Sequence, residues 1–254
     1  MKKRKLGFLF YPSMRCIDKI VALSSKLFEL SLEAGIDPKR MELIPNGVDT
    51  TKFYKMSDND KKELKKSMGY NQYSHIFLAV GQVEERKGYE FMIKAWKFIN
   101  ENFSDSFLLI IGPGSNQENI YFQKINKIIE EEQIKNVQFL GFKNNVYDFL
   151  KASDCLLHCA LFEGLPNILV EACMSHVPIV CRYIEGVTSD IITDRKIGHQ
   201  CKSGTPQDFA RETIELLREG KSETIVSKED ENRIRKFDIK DVANKYIELF
   251  EKID

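Results

Sequence analysis

The residue pair with the clearest chemical potential is Glu163 and Glu171, in the segment EGLPNILVE that follows an apolar run. Pro166 suits the first turn of a helix, so Glu163 and Gly164 fall in a loop and Glu171 falls more than one turn into the helix. A carboxylate accepts hydrogen bonds from sugar hydroxyl groups, and amides at a helix start attract phosphate, so the layout suits a sugar nucleotide. Without other context, a capping glutamate and an ordinary helix-face glutamate are the simpler interpretation.

A second candidate is the loop GQVEERKG, residues 81–88, which leads from an apolar strand pattern into a helical pattern. Gly81 and Gly88 bracket the loop, and Arg86 and Lys87 stand at the helix start, where two cations could hold a diphosphate. The alternative is a pair of solvated surface cations, which is the more frequent fate of a lysine at a helix start. Alone, this loop is a weak signal.

Two further loops follow predicted strands. The segment IGPGS, residues 111–115, contains Gly112 but lacks the GxGxxG of dinucleotide-binding enzymes, and a plain turn is favoured over a phosphate loop. The backbone of Gly141, Phe142 and Lys143 could pair with the edge of a nucleotide base. Neither loop is diagnostic alone.

Composition favours a small-molecule partner. The 254 residues contain 38 basic and 38 acidic side chains, so charge gives no argument for a nucleic-acid partner. The six cysteines form no CxxC pair and are predicted to be reduced core thiols, without a disulfide framework or a zinc site. We predict no metal and no cofactor.

The histidines and the start of the chain give no strong functional signal. His158 lies within the apolar run CLLHCAL and His176 at a helix-to-strand turn, so both are predicted to be satisfied structural histidines. The start MKKRKLGFLF is basic, but its apolar run is too short for a signal peptide or a membrane span. We therefore expect a cytoplasmic protein, with weak association with an anionic membrane surface as the alternative.

Alternating apolar and amphipathic segments predict an α/β fold with a doubly wound, Rossmann-like parallel sheet. The candidate residues then lie beyond the carboxyl ends of strands, where such sheets bind ligands. The turn-forming run PNGVD, residues 45–49, is a predicted domain boundary, and residues 219–235 form an exposed helix or linker. The predicted strands are 17–24, 41–44, 75–80, 107–111, 137–140, 154–159 and 177–181, and the predicted helices are 26–34, 87–102, 116–132, 145–151, 166–175, 206–218 and 237–253.

These motifs, in this order, resemble the retaining glycosyltransferases of family 4 with the GT-B fold. The resemblance covers roughly residues 17–254, and the spacing of Glu163 and Glu171 matches the paired-glutamate motif of that family. It implies transfer of a sugar from a nucleotide diphosphate donor with retention at the anomeric carbon and without a metal. The motifs are IPNGVDTTKF (44–53), VGQVEERKG (80–88), LLIIGPGS (108–115), VQFLGF (137–142) and EGLPNILVEA (163–172).

The resemblance also implies roles for individual residues. Glu163 would contact the donor sugar, Glu171 the ribose and Lys87 the diphosphate, with Glu163 and Lys87 as the catalytic residues. The family commonly has an arginine where this chain has Gln82, which cannot neutralise phosphate, so Arg86 or another cation would have to compensate. The full predicted donor site is Gly81, Gln82, Arg86, Lys87, Gly112, Gly141, Phe142, Lys143, Glu163, Gly164, Leu165, Pro166, Asn167 and Glu171.

By the same likeness, residues 1–45 are the remnant of an N-terminal acceptor domain, 46–236 the donor-nucleotide-binding domain and 237–254 a C-terminal return helix. Residues 6–11 and 26–34 would then expose apolar faces that the rest of the acceptor domain covers. A separate partner chain could supply that domain. The resemblance implies a glycan or lipid-linked acceptor of the cell envelope.

Other functions remain open. A catalytically silent, nucleotide-sugar-binding partner subunit or a gene fragment is the main alternative. A nucleotide-sugar epimerase would need both domains in one chain, and a dinucleotide oxidoreductase would need the glycine fingerprint that is absent.

Overall fold

A computed structural model of the chain describes residues 16–195, 197–219 and 234–253. Most of the predicted linker 219–235, and the apolar run at 6–11, lie outside the described residues. The strands are β1 (Ile20–Ala22), β2 (Met41–Leu43), β3 (His75–Val80), β4 (Ser106–Ile111), β5 (Val137–Gly141), β6 (Cys155–His158), β7 (Ile179–Arg182) and β8 (Gly198–Cys201). The helices are α1 (Ser25–Glu33), α2 (Asp58–Ser67), α3 (Tyr89–Asn102), α4 (Ile120–Glu131), α5 (Val146–Ala152), α6 (Asn167–Met174), α7 (Pro206–Arg218) and α8 (Ile239–Glu251).

Six strands form one parallel sheet in the order β5-β4-β3-β6-β7-β8. Its central strands are apolar on both faces: Phe77 packs with Trp96 of α3, and Leu78 belongs to the cluster that contains Leu169 of α6. Because successive side chains of a strand point to opposite faces, helices must cover both sides of such a sheet. The predicted doubly wound α/β class is confirmed.

Helix α3 begins later in the sequence than predicted, because a glycine in the left-handed conformation precedes it. The predicted helix began at Lys87, but residues 85–87 form a separate 3₁₀ turn. Gly88 has φ 70°, and the α-helix begins at Tyr89. A residue with positive φ cannot continue a right-handed helix, so Lys87 stands before the helix rather than on it.

Two elements were missed by the sequence patterns. Helix α2 carries the polar sequence DNDKKELKKS and buries none of its residues, so it lacks an apolar stripe. Instead, Lys61 and Lys65 form ion pairs with the buried Asp154, which precedes β6. Strand β8, with the sequence GHQC, is polar yet almost wholly buried at the edge of the sheet.

A separate two-stranded parallel sheet is formed by β1 and β2. The strand is limited to Ile20–Ala22 of the predicted range 17–24, and Ser24 already caps α1 by accepting a hydrogen bond from Leu27 N. Helix α8 returns to this sheet, where Val242 and Leu249 pack on Ile44. The assignment of residues 1–45 to an acceptor domain stays a prediction.

Candidate functional site

The loops after β3, β4 and β5 are held to one another through their backbones. Gly81 N donates to Ile111 O at 2.9 Å, and Gly112 N donates to Gly141 O at 2.9 Å. A Cβ on Gly112 would lie 1.9 Å from Gly81 O, so only glycine allows this close approach. The three predicted glycines therefore form a tight layer at the carboxyl edge of the sheet. The close approach is compatible with either interpretation of Gly112, and its place in the donor site stays a prediction.

Glu163 lies at the centre of an ion cluster on this edge. Its carboxylate pairs with Lys87 Nζ and, at 3.2 Å, with Arg86 Nη1. The Glu163 side chain is only 9% exposed, so solvent screens these pairs weakly. The structure thus brings together the cations of one predicted loop and the carboxylate of another.

Arg86 has a second acidic partner. Its Nε lies 2.7 Å from an oxygen of Glu84, so the guanidinium bridges Glu84 and Glu163. Leu161 N donates to Arg86 O at 2.8 Å, which ties the loop after β6 to the 3₁₀ turn. Sequence reasoning missed Glu84, although it lies in the quoted loop two positions before Arg86.

Gly88 sets the distance between these two loops. A Cβ at this position would lie 2.1 Å from Cys159 O, and φ is 70°. Both the conformation and the close approach exclude a side chain. The cations before Gly88 are therefore fixed beside the chain that leads from β6 to Glu163.

His158, the last residue of β6, lies behind the ion cluster. Its Nε2 is 3.8 Å from Glu163 Oε1 and has no hydrogen-bond partner within the described ranges. The pKa of His158 is lowered to about 4, mainly by burial; Glu163 opposes this shift, and the cations Lys87 and Arg86 add to it. The prediction of a satisfied structural histidine is therefore wrong for His158. His176 does lie at the turn after α6, with φ 54°.

Glu171 has different surroundings. It is half-buried in α6, and no described residue forms a hydrogen bond or ion pair with its carboxylate. Burial without a compensating charge raises its pKa to about 7. The structure therefore separates the two motif glutamates electrostatically: Glu163 is paired with cations and Glu171 is not.

The segment between the glutamates packs against α1. A Cβ on Gly164 would lie 3.3 Å from Leu27 Cδ1. Asn167 accepts a hydrogen bond from Asn46 Nδ2 at 2.8 Å, so the PNGVD turn also contacts this segment. Pro166 occupies the N-cap position of α6 and has no N–H, so its backbone cannot donate a hydrogen bond to a phosphate.

Leu165 lines a cavity of about 440 Å³ beside α1 rather than the ion cluster. Ser25 and Asp190 also line it. Ser25 N and Oγ both donate to the Asp190 carboxylate, at 2.8 and 2.6 Å. This pairing fixes the start of α1 to the loop after β7.

The remaining predicted residues lie near the edge without contacting Glu163. Gln82 is exposed, and the Phe142 ring is 74% exposed. Lys143 is partly exposed in the same loop. Their positions permit contact with a ligand, and their roles stay predictions.

Paired cations and carboxylates beyond the strand ends of a parallel sheet place this chain among the α/β proteins, in which ligand sites lie at that edge of the sheet. The sequence profile of the glycosyl transferases group 1 matches residues 60–233, and the chain belongs to this family. A similar protein is the UDP-Gal:alpha-D-GlcNAc-diphosphoundecaprenol alpha-1,3-galactosyltransferase of Escherichia coli, 31% identical over 193 residues. The match covers 72% of this chain and 49% of the relative, so the chain spans about half the length of that relative.

Solved structures agree on the fold. Anabaena HepE in complex with UDP-glucose superposes with a TM-score of 0.79 at 19% identity, over 92% of this chain and 64% of that chain. A glycosyltransferase from Rickettsia africae gives a TM-score of 0.83 at 16% identity, over 100% of this chain and 68% of that chain. These likenesses show the GT-B type of architecture.

None of the helices in the described ranges has the length and apolar content that a membrane crossing needs.

Proposed function

We propose that this chain is the donor-binding part of a retaining glycosyltransferase that takes a sugar from a nucleotide diphosphate sugar. One observation carries the proposal: Lys87 and Arg86 meet the carboxylate of Glu163 at the carboxyl edge of a parallel sheet. Such a cluster holds, before any ligand arrives, both the cations for a diphosphate and the acceptor for sugar hydroxyl groups.

Donor binding would exchange partners within this cluster. The diphosphate carries more negative charge than one carboxylate, so it would draw Lys87 and Arg86 away from Glu163. Glu163 would then accept hydrogen bonds from the sugar, and Glu171 from the ribose. Because the cations stay near the leaving diphosphate, they would stabilise the charge that develops there, without a metal ion.

Arg86 would supply the cation that Gln82 lacks. Its guanidinium already lies 3.2 Å from Glu163, and its Nε is turned towards Glu84. A planar guanidinium can hold two phosphate oxygens at once, whereas the amide of Gln82 carries no charge. Glu84 would keep Arg86 oriented while its remaining N–H groups turn to the ligand.

The proposal also covers the sugar donor, the acceptor and the place of action. We propose a hexosyl donor, a glycan or lipid-linked acceptor bound mainly by a domain outside this chain, and action in the cytoplasm at the inner face of the membrane. The donor specificity of relatives directs the first test to uridine nucleotides, since the E. coli relative's name states UDP-Gal.

A calorimetric titration of the chain with UDP, GDP, ADP and CMP tests the proposal. We expect one nucleoside diphosphate to bind, and Lys87→Ala to weaken binding by about 10- to 100-fold, the size of one charge-assisted contact. Lys127→Ala, which removes a 72%-exposed lysine of α4, is the matched control and should change nothing. A folded chain that binds none of the four nucleotides contradicts the proposal.

The role of Arg86 has a separate rescue experiment. Arg86→Ala should weaken binding of the same nucleotide about tenfold. Adding Gln82→Arg to that variant should restore most of the affinity, because it returns a cation to the same loop. If Gln82→Arg does not restore binding, Arg86 does not replace the missing arginine.

A further inference from the structure

We propose that His158 is a positioning residue that holds the carboxylate of Glu163 through an Nε2–H hydrogen bond once the donor has displaced Lys87. This inference rests on the proposed donor site. It concerns a residue that sequence reasoning assigned to the core, and it gives a function to a buried polar atom that has no hydrogen-bond partner among the described residues.

The first argument is the burial of an unsatisfied imidazole nitrogen. His158 is 4% exposed and ends a strand whose four residues are all buried. Its Nε2 has no hydrogen-bond partner among the described residues. A buried polar atom without a partner destabilises the folded protein, whereas an apolar side chain in its place would carry no such cost. An unsatisfied group of this kind calls for an explanation such as a ligand-bound state in which it is satisfied.

The second argument is the position of the nearest carboxylate oxygen. Nε2 lies 3.8 Å from Glu163 Oε1, beyond hydrogen-bond distance, and the same oxygen is paired with Lys87 Nζ. A movement of about 1 Å would bring the two atoms to a normal hydrogen-bond length. His158 Nε2 therefore lies near Glu163 Oε1 without a hydrogen bond to it, while that oxygen is paired with Lys87.

The third argument follows from the exchange of partners on donor binding. When Lys87 turns to the diphosphate, Glu163 Oε1 loses its cation, and His158 Nε2 is the remaining group that the described part of the chain places near this oxygen. The carboxylate favours the tautomer with the proton on Nε2, since an unprotonated nitrogen would face it with a lone pair. A neutral donor orients the carboxylate and leaves its charge available to the sugar hydroxyl groups.

This arrangement predicts a larger effect on the sugar-bearing donor than on the nucleotide alone. UDP also draws Lys87 away from Glu163 but offers no sugar to its carboxylate, so the affinity for UDP should depend less on how that carboxylate is held. UDP-galactose does offer a sugar, and its affinity should depend on how well Glu163 is held. The comparison of the two ligands separates positioning of Glu163 from general damage to the site.

The test compares His158→Leu with His158→Gln in calorimetric titrations of the whole chain. We expect His158→Leu to leave the Kd for UDP within about twofold and to weaken UDP-galactose about tenfold, the loss of one hydrogen bond to a charged group. Glutamine places an N–H donor near the position of Nε2, so His158→Gln should restore the affinity for UDP-galactose to within about threefold. Equal losses for both ligands, or none for either, overturn the inference while the donor site stands.

A second measurement does not depend on whether His158→Leu folds. The chain has four histidines, so ¹⁵N labelling of histidine gives few imidazole signals, and His158→Gln identifies the one from His158. The Nε2–H signal of His158 should move downfield with UDP-galactose and with UDP, because both ligands carry the diphosphate that displaces Lys87. If the chemical shift of this signal does not change with UDP-galactose, the inference is contradicted. A chain that binds neither ligand overturns the proposed donor site as well.

Discussion

Glu163 and Glu171 come from one short motif, yet their carboxylates lie in opposite electrostatic surroundings. Glu163 is almost buried and is compensated by Lys87 and Arg86. Glu171 is half-buried without any described partner, and burial raises its pKa to about 7. The chain therefore neutralises the first charge internally and leaves the second to be stabilised by a ligand or by a proton.

The difference shows what a sequence motif transmits. The spacing of the two glutamates fixes where they lie relative to the start of α6. It does not fix their protonation, because that depends on which residues from distant segments lie nearby. The cations beside Glu163, Arg86 and Lys87, lie 77 and 76 positions earlier in the chain.

The largest effect should come from removing the compensated charge. Glu163→Gln leaves Lys87, whose side chain is only 16% exposed, without its acidic partner. Breaking such a pair from one side costs more than the pair contributes, and we expect a loss of roughly 2–3 kcal/mol in the free energy of unfolding. Urea denaturation at about pH 7 measures it.

Glu85→Gln is the matched control, because Glu85 is exposed in the same loop. That variant should stay within about 0.5 kcal/mol of the wild type. Equal stability of Glu163→Gln and the wild type would show that the cluster around Glu163 contributes nothing to folding.

Glu171→Gln should raise the free energy of unfolding, whereas Glu163→Gln lowers it. Because the folded-state pKa of Glu171 is about 7 and its ordinary value is 4.5, the unfolded chain loses this proton first. Stability therefore falls as pH rises through this window, and Glu171→Gln should be more stable than the wild type by roughly 1–2 kcal/mol near pH 8.

The two proteins should converge near pH 4.5, where the wild-type carboxyl group is protonated in the folded state. Thermal unfolding followed across this pH range measures the difference. Glu101→Gln, at an exposed position of α3, is the control and should follow the wild type at every pH. A destabilised Glu171→Gln would mean that the carboxylate has a stabilising partner.

A smaller effect is expected on the number of protons that are released when the nucleotide binds. Hydrogen bonds from ribose hydroxyl groups favour the ionised form of Glu171 and should lower its pKa, so binding near pH 7 should release up to about half a proton. Titrations with UDP in buffers of different ionisation enthalpy measure this release. The same titration of Glu171→Gln measures the protons that the diphosphate itself releases. Equal proton release in the variant and the wild type would exclude Glu171 from the ribose contact.

The smallest effect should come from a residue at the same edge that contacts neither glutamate. The Phe142 ring is 74% exposed, so Phe142→Ala should leave stability unchanged and weaken UDP binding by at most about threefold. Phe162→Ala, at a ring that is 61% exposed, is the matched control in the neighbouring loop. A loss above about tenfold for Phe142→Ala alone would assign that ring a direct contact with the base.

The sequence predicted those parts of the molecule whose physics is local. The apolar runs of β3 and β4 indicated a sheet covered on both faces, and EGLPNILVE indicated the loop and helix that carry the glutamates. Helix α2 escaped because it is held by ion pairs from Lys61 and Lys65 to Asp154 rather than by an apolar stripe. Strand β8 escaped because its polar sequence is buried by neighbours that its own pattern does not reveal.

The candidate site shows the same limit. The positions of Lys87 and Glu163 could be predicted, because loops at the strand ends of one sheet edge must meet. The unsatisfied nitrogen of His158 could not, since a histidine in an apolar run is compatible with either a satisfied or an orphaned ring. Distances between loops decide that question, and Gly88 sets one of those distances by its contact with Cys159.

The pairing of Ser25 with Asp190 has a consequence for the order of events during synthesis. The two residues are 165 positions apart, and Ile44 is separated from its contacts Val242 and Leu249 by still more of the chain. Helix α1 can therefore gain its contact with Asp190 only after most of the chain has left the ribosome. The earliest described segment is then among the last to reach its final contacts, which are non-local in sequence and therefore form late.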